Sequence, residues 1–272
     1  SLLCDAGGDG LLLAGGHSLI PMMKMRLAAP ACLVDLNGIG ELRGIHTDTA
    51  KGEIVIGALT TQHALIDSEA LAAVCPLLRE TAKQIADPQV RYCGTIGGNA
   101  ANGDPGNDMP AVLQCLNATF VLRGKDGEHR IAARDYYHGA YDTARTDEQI
   151  LVAIHIPTPA AGHGFAYEKQ KRKVGDYATA AAAVVLSRQK GIITAADIAL
   201  TNLADTPLLA TEAAACLQGS EGGDAVIKQA AEKAAAICDP ADDNRGPPAF
   251  RRALAAVMTE RAIHSALTRA AA

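Results

Sequence analysis

The sequence predicts an α+β fold in two units, and three observations carry that prediction. Short strand-like and helix-like runs alternate up to about residue 158, with a glycine-rich turn in each half of the span. Pro157 and Pro159, followed by AAGHG, break the pattern near residue 160. Beyond that break a long alternating hairpin is followed by helical stretches, a sheet-then-helices order.

In chain order, Leu11–Ala14 reads as a short buried strand. Ser18 stands where it would cap the helix written in SLIPMMKMRLA, and Pro21 falls in the first turn, where proline is tolerated. Leu33–Leu36 is a second strand, ending at NGIG. LRGIHTDTAKGEIVIGA alternates about a polar turn and predicts a hairpin. Thr60 or Thr61 caps the next helix, and more helix covers roughly 76–85 until Asp87-Pro88 stops it.

CGTIGGNAANGDPGND, with Gly94, Gly97, Gly98, Gly103, Gly106 and Pro105, is too glycine-dense for regular structure. It leads into an apolar helix starting near Asn107 or Asp108. ATFVLRGKDGEHRIAA is a hairpin with Asp126-Gly127 at its turn, and QILVAIHIP is a strand. After the break GFAYEKQKRK is strand-like, and YATAAAAVVLSRQKGIITAADIALTNL is a hairpin of two long strands around Lys190-Gly191. Helical stretches follow at about 207–217, 224–237 and 247–270, separated by Asp239-Pro240 and Pro247-Pro248. The second unit is therefore a three-stranded antiparallel sheet plus a three-helix bundle. The sequence holds no fixed-period repeat.

Composition narrows the function classes. A length of 272 residues suits one or two domains with an ample core. Aromatics are 3% and Trp is absent, so the core must be built from Ala, Leu, Ile and Val. A net charge of −5 provides no basic field for nucleic acid. No run approaches the roughly 18 apolar residues of a membrane span. The cysteines, Cys4, Cys32, Cys75, Cys93, Cys115, Cys216 and Cys238, include no Cys-x-x-Cys pair and fit no zinc or iron–sulfur spacing. Odd in number and partly in apolar runs such as ACLVDL, they read as buried reduced thiols rather than disulfides. An iron–sulfur cluster serving this chain would belong to a partner.

The two glycine loops, AGGHS and TIGGN, each lead into a helix. Glycine lets backbone N–H groups approach a ligand closely, and a helix N-terminus adds partial positive charge. Neither loop is a G-x-G-x-x-G fingerprint or a P-loop. Each alone is equally well a tight turn. Together they would suit the two phosphoryl groups of a pyrophosphate.

LLAGGHSLIPMMKMRLAAPACLVDLNGIGELRGI and TIGGNAANGDPGNDMPAVL closely resemble the FAD-binding medium subunit of molybdenum hydroxylases, the xanthine dehydrogenase family, nearest its aerobic carbon monoxide dehydrogenase branch. The resemblance continues through GFAYEKQKRKVGDYATAAAAVVL and IALTNLADTPL, and so covers essentially the whole chain. It implies a PCMH-type FAD-binding domain over 1–158, with lobes of about 1–38 and 39–158, and a carbon monoxide dehydrogenase flavoprotein C-terminal-like domain over 160–272. Such subunits usually begin with about 20 further residues, enough for a strand and most of a helix.

The resemblance also implies site residues. Ala14, Gly15, Gly16, His17 and Ser18 would bind the pyrophosphate region of FAD, and Thr95, Ile96, Gly97, Gly98 and Asn99 would bind it from the other side. Asn99 stands where some relatives have Asp or Ser. Asp104 and Asp108 fall where acidic residues contact the ribityl and neighbouring parts. Lys169 matches a lysine near the pyrimidine end of the isoalloxazine, where a cation stabilises the negative charge of reduction. Tyr177 matches a residue lying over the ring. Lys171, Arg172 and Lys173 read as a solvated basic face or as contacts to FAD or its acceptor.

The implied function is electron transfer. FAD, held non-covalently, would take single electrons from the 2Fe–2S clusters of a small iron–sulfur subunit and pass them to an external acceptor. A large molybdenum-binding subunit with a molybdenum–pterin cofactor would oxidise the substrate, the whole forming a dimer of heterotrimers. The expected location is cytoplasmic, with association to the inner face of the membrane through the acceptor.

A rival reading is a stand-alone PCMH-fold flavin oxidase or reductase with FAD covalently bound at His17, which predicts substrate turnover by the isolated chain. Another is a scaffold subunit without FAD, which predicts a colourless protein. No catalytic side chain is assigned to this chain, and the remaining histidines show no H-x-x-x-H spacing for a metal. Met22, Met23 and Met25 read as core or subunit packing, and Asp242-Asp243 as a capped, solvated connection.

Overall fold

The computed structural model describes residues 2–5, 10–48 and 50–271. The expectation of a buried Cys4 thiol falls on a side chain that lies outside what is described. The chain opens with α1 (Leu2–Asp5), β1 (Gly10–Leu13), α2 (Leu19–Lys24) and β2 (Cys32–Asp35). β1 and β2 pair in parallel, Leu11 opposite Leu33, with α2 as the crossover. This sheet has two strands only, so much of it faces outward. Cys32 is exposed, as is Cys93, against the expectation of buried thiols; Cys75, Cys115 and Cys238 are buried, and the described cysteines are free.

α2 ends at Lys24, earlier than the sequence suggests, and Ser18 makes no side-chain capping bond because its own backbone is already helical. No residue of α2 is buried, and Met25 is 64% exposed, so the methionines are not core.

Next come β3 (Ile45–Asp48), β4 (Glu53–Gly57), α3 (Gln62–Asp67), α4 (Glu69–Val74), α5 (Pro76–Gln84), α6 (Pro88–Cys93), α7 (Ile96–Ala101) and α8 (Asp108–Cys115). Thr61, of the two candidate threonines, caps α3 by accepting from Ala64 N at 3.1 Å. Asp87-Pro88 begins a helix as well as ending one, since Asp87 Oδ1 accepts from Val90 N at 2.9 Å and proline fits the first turn. The glycine-dense segment is partly helical, contrary to expectation: Thr95 Oγ1 accepts from Gly98 N at 3.0 Å and starts α7.

β5 (Thr119–Gly124), β6 (Gly127–Ala132), β7 (Tyr137–Gly139), β8 (Asp142–Thr143) and β9 (Ile150–Pro157) complete the first unit. Its main sheet has the antiparallel order β3-β4-β9-β5-β6. Ile54 and Ile56 of β4, Phe120 of β5 and Ile154 of β9 point from it into one core with Leu65, Leu77, Val112 and Leu113 of the helices.

The second unit contains β10 (Gly164–Gln170), β11 (Ala180–Gln189), β12 (Ile192–Thr201), β13 (Leu208–Leu209), α9 (Thr211–Leu217), α10 (Asp224–Ala236) and α11 (Pro248–Arg269). The sheet has four strands rather than three: Leu208 and Leu209, expected to begin a helix, pair with Leu200 and Ala199. Asp242 and Asp243 are both exposed, and Asp243 Oδ2 lies 3.3 Å from the buried Arg251 guanidinium.

The alanine run of β11 explains how the units join. Side chains alternate across a strand. Ala180, Ala182 and Val184 face α9, α10 and α11, whereas Ala181 and Ala183 join the core of the first unit. Small side chains on that second face let α8 pack directly on β11 and β12. That packing brings the N-terminus of α8 and the end of β10 to one wall of a cleft.

Candidate functional site

Ala14–Ser18 connects β1 to α2 at the mouth of this cleft. Asn37 Nδ2 donates to Ala14 O at 2.9 Å and fixes the start of the turn. At Gly15 a Cβ would lie 2.4 Å from the Cys93 carbonyl oxygen, so the first loop abuts the approach to the second. Gly16 has a φ of +71°, the left-handed region that favours glycine. His17 is exposed and its Nδ1 donates to Gly15 O at 2.6 Å. The backbone N–H groups of Gly15, Gly16, His17 and Ser18 meet no acceptor among the described residues. They are the main-chain donors available to an anion.

The second loop is built differently. Ile96 N donates to Thr60 O and Gly97 N to Ala58 O, both at 2.9 Å, while Gly98 N and Asn99 N donate to Thr95 Oγ1 and O at 3.0 Å. All four amides are engaged within the protein. Ile96 and Gly97 are buried behind the cleft, and a Cβ on Gly97 would come within 2.6 Å of the Ala58 carbonyl oxygen. Thr95, Gly98 and Asn99 line the cleft. Asn99 also starts α8: its Oδ1 accepts from Met109 N at 3.2 Å, and its carbonyl accepts from Asn107 Nδ2 at 2.9 Å.

The opposite wall carries the charge. Asp108, the first residue of α8, and Lys169, on β10, are buried with Oδ2 and Nζ 2.8 Å apart. Tyr167 donates its hydroxyl to Asp108 Oδ1 at 2.5 Å. Burial pushes the Asp108 carboxyl up, against the opposing pull of Lys169, the Tyr167 hydroxyl and Lys171. Burial and the Lys169 charge in turn lower the Lys171 ammonium. Arg172 is taken by Asp176 at 2.9 Å, and Lys173 is exposed.

Tyr177 is 40% exposed at the rim and donates to Asp104 Oδ2 at 3.2 Å. Asp104 stands outside the cleft; its other oxygen accepts from Gly106 N at 2.9 Å. A Cβ on Gly106 would meet the Tyr177 ring at 3.1 Å.

The cleft has a volume of about 390 Å³, within the ordinary size range of small-molecule sites. Sequence reasoning missed several lining residues, among them Gln62, Asn102, Asn107 and Asp176. Both polar atoms of the Gln62 amide and Nδ2 of Asn102 are buried without a partner. Gln62 begins α3 and Asn102 follows the last residue of α7, so their only sequence signal is a polar residue at a helix terminus.

Free amides at a glycine turn, unpartnered buried amide side chains and a buried cation in one cleft fit a flavin dinucleotide: phosphates need the first, sugar hydroxyls the second, the ring the third. Among the described residues no group of three His, Cys, Asp or Glu could hold a metal, and no helix is long and apolar enough to cross a membrane.

The profile of the FAD-binding domain in molybdopterin dehydrogenase matches residues 2–159, and that of the CO dehydrogenase flavoprotein C-terminal domain matches residues 165–266. The chain is 56% identical to the carbon monoxide dehydrogenase medium chain of Afipia carboxidovorans, over 99% of this chain and 93% of that one. It is 45% identical to the carbon monoxide dehydrogenase medium chain of Hydrogenophaga pseudoflava, over 100% and 94%. It superposes on a chain of the crystal structure of the cyanide-inactivated Cu,Mo-CO dehydrogenase with a TM-score of 0.97, at 56% identity, covering 99% of this chain and 93% of that one.

Proposed function

The chain belongs to the FAD-binding medium subunits of the molybdopterin dehydrogenases, and from that premise we propose that it is the electron-transfer flavoprotein of a molybdenum hydroxylase of the carbon monoxide dehydrogenase type. One observation supports this most: the unpaired amides of Gly15–Ser18 and the buried Lys169 cation line the same cleft.

In this reading 1–158 is the FAD-binding domain, with lobes of about 1–38 and 39–158, and 160–272 closes the cleft from the other side. The Gly15–Ser18 amides bind the pyrophosphate. Thr95, Gly98 and Asn99 form the facing surface, and Gln62 and Asn102 offer hydrogen bonds to the sugar and ribityl hydroxyls. Lys169 stabilises negative charge at the ring, and Tyr177 shields the ring from water. Bound FAD supplies the exchange between single electrons and electron pairs. In this reading the FAD is held without a covalent bond, with His17 Nδ1 turned to Gly15 O.

The partners are a large molybdenum–pterin subunit and a small subunit with 2Fe–2S clusters, in a dimer of heterotrimers that serves an external acceptor from the cytoplasm. The test compares the assembled complex with the same complex stripped of FAD. The substrate should still reduce the clusters of the stripped complex, but turnover with an external acceptor should be lost and should return with FAD. Full acceptor turnover without FAD would overturn the reading.

A further inference from the structure

Tyr167 does not itself line the cleft. It is 2% exposed and sits two residues before Lys169 on β10, so the two side chains share a face of the sheet. Opposite them on β11 are Ala183 and Ala181, and beyond those on β12 are Ala199 and Thr201. The alanines leave room for the Tyr167 ring to lie along the sheet and reach α8. Its hydroxyl meets Asp108 Oδ1 at 2.5 Å and Thr201 Oγ1 at 3.3 Å.

The Tyr167 backbone is clamped too. Glu80 Oε1 accepts from its N–H at 2.7 Å, and Gln84 Nε2 donates to its carbonyl at 2.9 Å. Gln84 O also accepts from Lys169 Nζ at 3.4 Å.

The two Asp108 oxygens are thus divided, one to a neutral donor and one to a cation. The carboxylate offsets the Lys169 charge that faces the cleft. A buried carboxylate keeps its charge only when its oxygens are satisfied. We propose that Tyr167 is a positioning residue for the flavin site: its hydroxyl holds Asp108 ionised and aimed at Lys169, and so sets how much of the lysine's positive charge the cofactor meets. The proposal rests on the flavin reading above. It assigns the flavin potential to a residue that does not line the cleft.

Without the hydroxyl, Asp108 Oδ1 loses its donor and the neutral acid is favoured. Lys169 is then less compensated, and the flavin is easier to reduce. The test is a spectroelectrochemical titration of the FAD-loaded full chain. Tyr167→Phe should keep its FAD and raise the midpoint potential. Asp108→Asn should raise it further, and adding Tyr167→Phe to Asp108→Asn should change nothing more, since both act through one carboxylate.

If Tyr167→Phe does not hold FAD, Thr201→Val, which removes the second partner of the hydroxyl, must raise the potential instead. An unshifted potential in the FAD-loaded variant, or additive shifts in the double variant, overturns the proposal. A wild-type chain that takes up no FAD would instead sink the functional reading itself.

Discussion

Lys169 Nζ lies 2.8 Å from Asp108 Oδ2, across a sequence separation of 61 residues and between the two structural units. The pair joins the helix after the second glycine loop to the sheet that closes the cleft. The family resemblance gives its members separate tasks, one at the ribityl chain and one at the ring. In the structure they form one electrostatic group, and their removal should not be independent.

Lys169→Met should lower the flavin potential, because it removes the cation and leaves the Asp108 charge. It should also cost about 3–5 kcal/mol of stability, the usual effect of orphaning one partner of a buried pair. Lys169→Met with Asp108→Asn should recover most of that loss. Urea unfolding of the three variants measures the stability effect, and redox titration the potential.

Gly15→Ala should abolish FAD binding while leaving the helical signal intact. Its Cβ would drive into the Cys93 carbonyl and push the loop with the free amides off the second segment. Gly97→Ala should act differently. Gly97 lies behind the cleft against Ala58, so the substitution should lower stability by about 1–3 kcal/mol, as overpacking does, and lose flavin only as far as the fold is lost. Flavin retention plotted against unfolding midpoint separates the two behaviours.

How far the sequence reveals this protein depends on range. The hairpins are legible because each alternates with period two around a turn, as at Lys190-Gly191. The end of β9 at Pro157 is legible from the prolines that follow its apolar run. α7 is not legible, since its glycines argue against helix and only the Thr95 cap and burial on Ala58 make one. Nor is the difference between the two glycine loops. Both read as anion cradles, but the amides of the second are used by Ala58, Thr60 and Thr95, two of them on a distant loop. The exposure of Cys32 is equally hidden, because an apolar run does not report how many strands flank it.

Asn99→Ala should cost about 1 kcal/mol, the usual price of a lost helix cap, because Met109 N loses its acceptor. It should also loosen Asp108, one residue before Met109. Asn99→Asp keeps an acceptor oxygen and should restore most of the stability. Thermal unfolding with and without FAD reads both effects.

His163 adds a pH dependence at the junction of the units. Its Nδ1 donates to Ala160 O at 2.8 Å, its Nε2 is buried without a partner, and burial lowers the imidazole below its ordinary value. The unfolded chain therefore binds the proton more readily than the folded one. Stability from this group is present above the usual histidine value of about 6.5 and is lost as pH falls below it. Urea midpoints measured from neutral to mildly acid pH should decline over that range, and His163→Gln should flatten the decline.

The central claim is that this chain holds one FAD without a covalent bond, on the amides of the Gly15–Ser18 turn. Acid precipitation of the FAD-loaded full chain tests it most directly. One FAD per chain is expected, all of it released into the supernatant, with none bound by Gly15→Ala. Flavin that stays with the denatured polypeptide, or a wild-type chain that binds none, would contradict it.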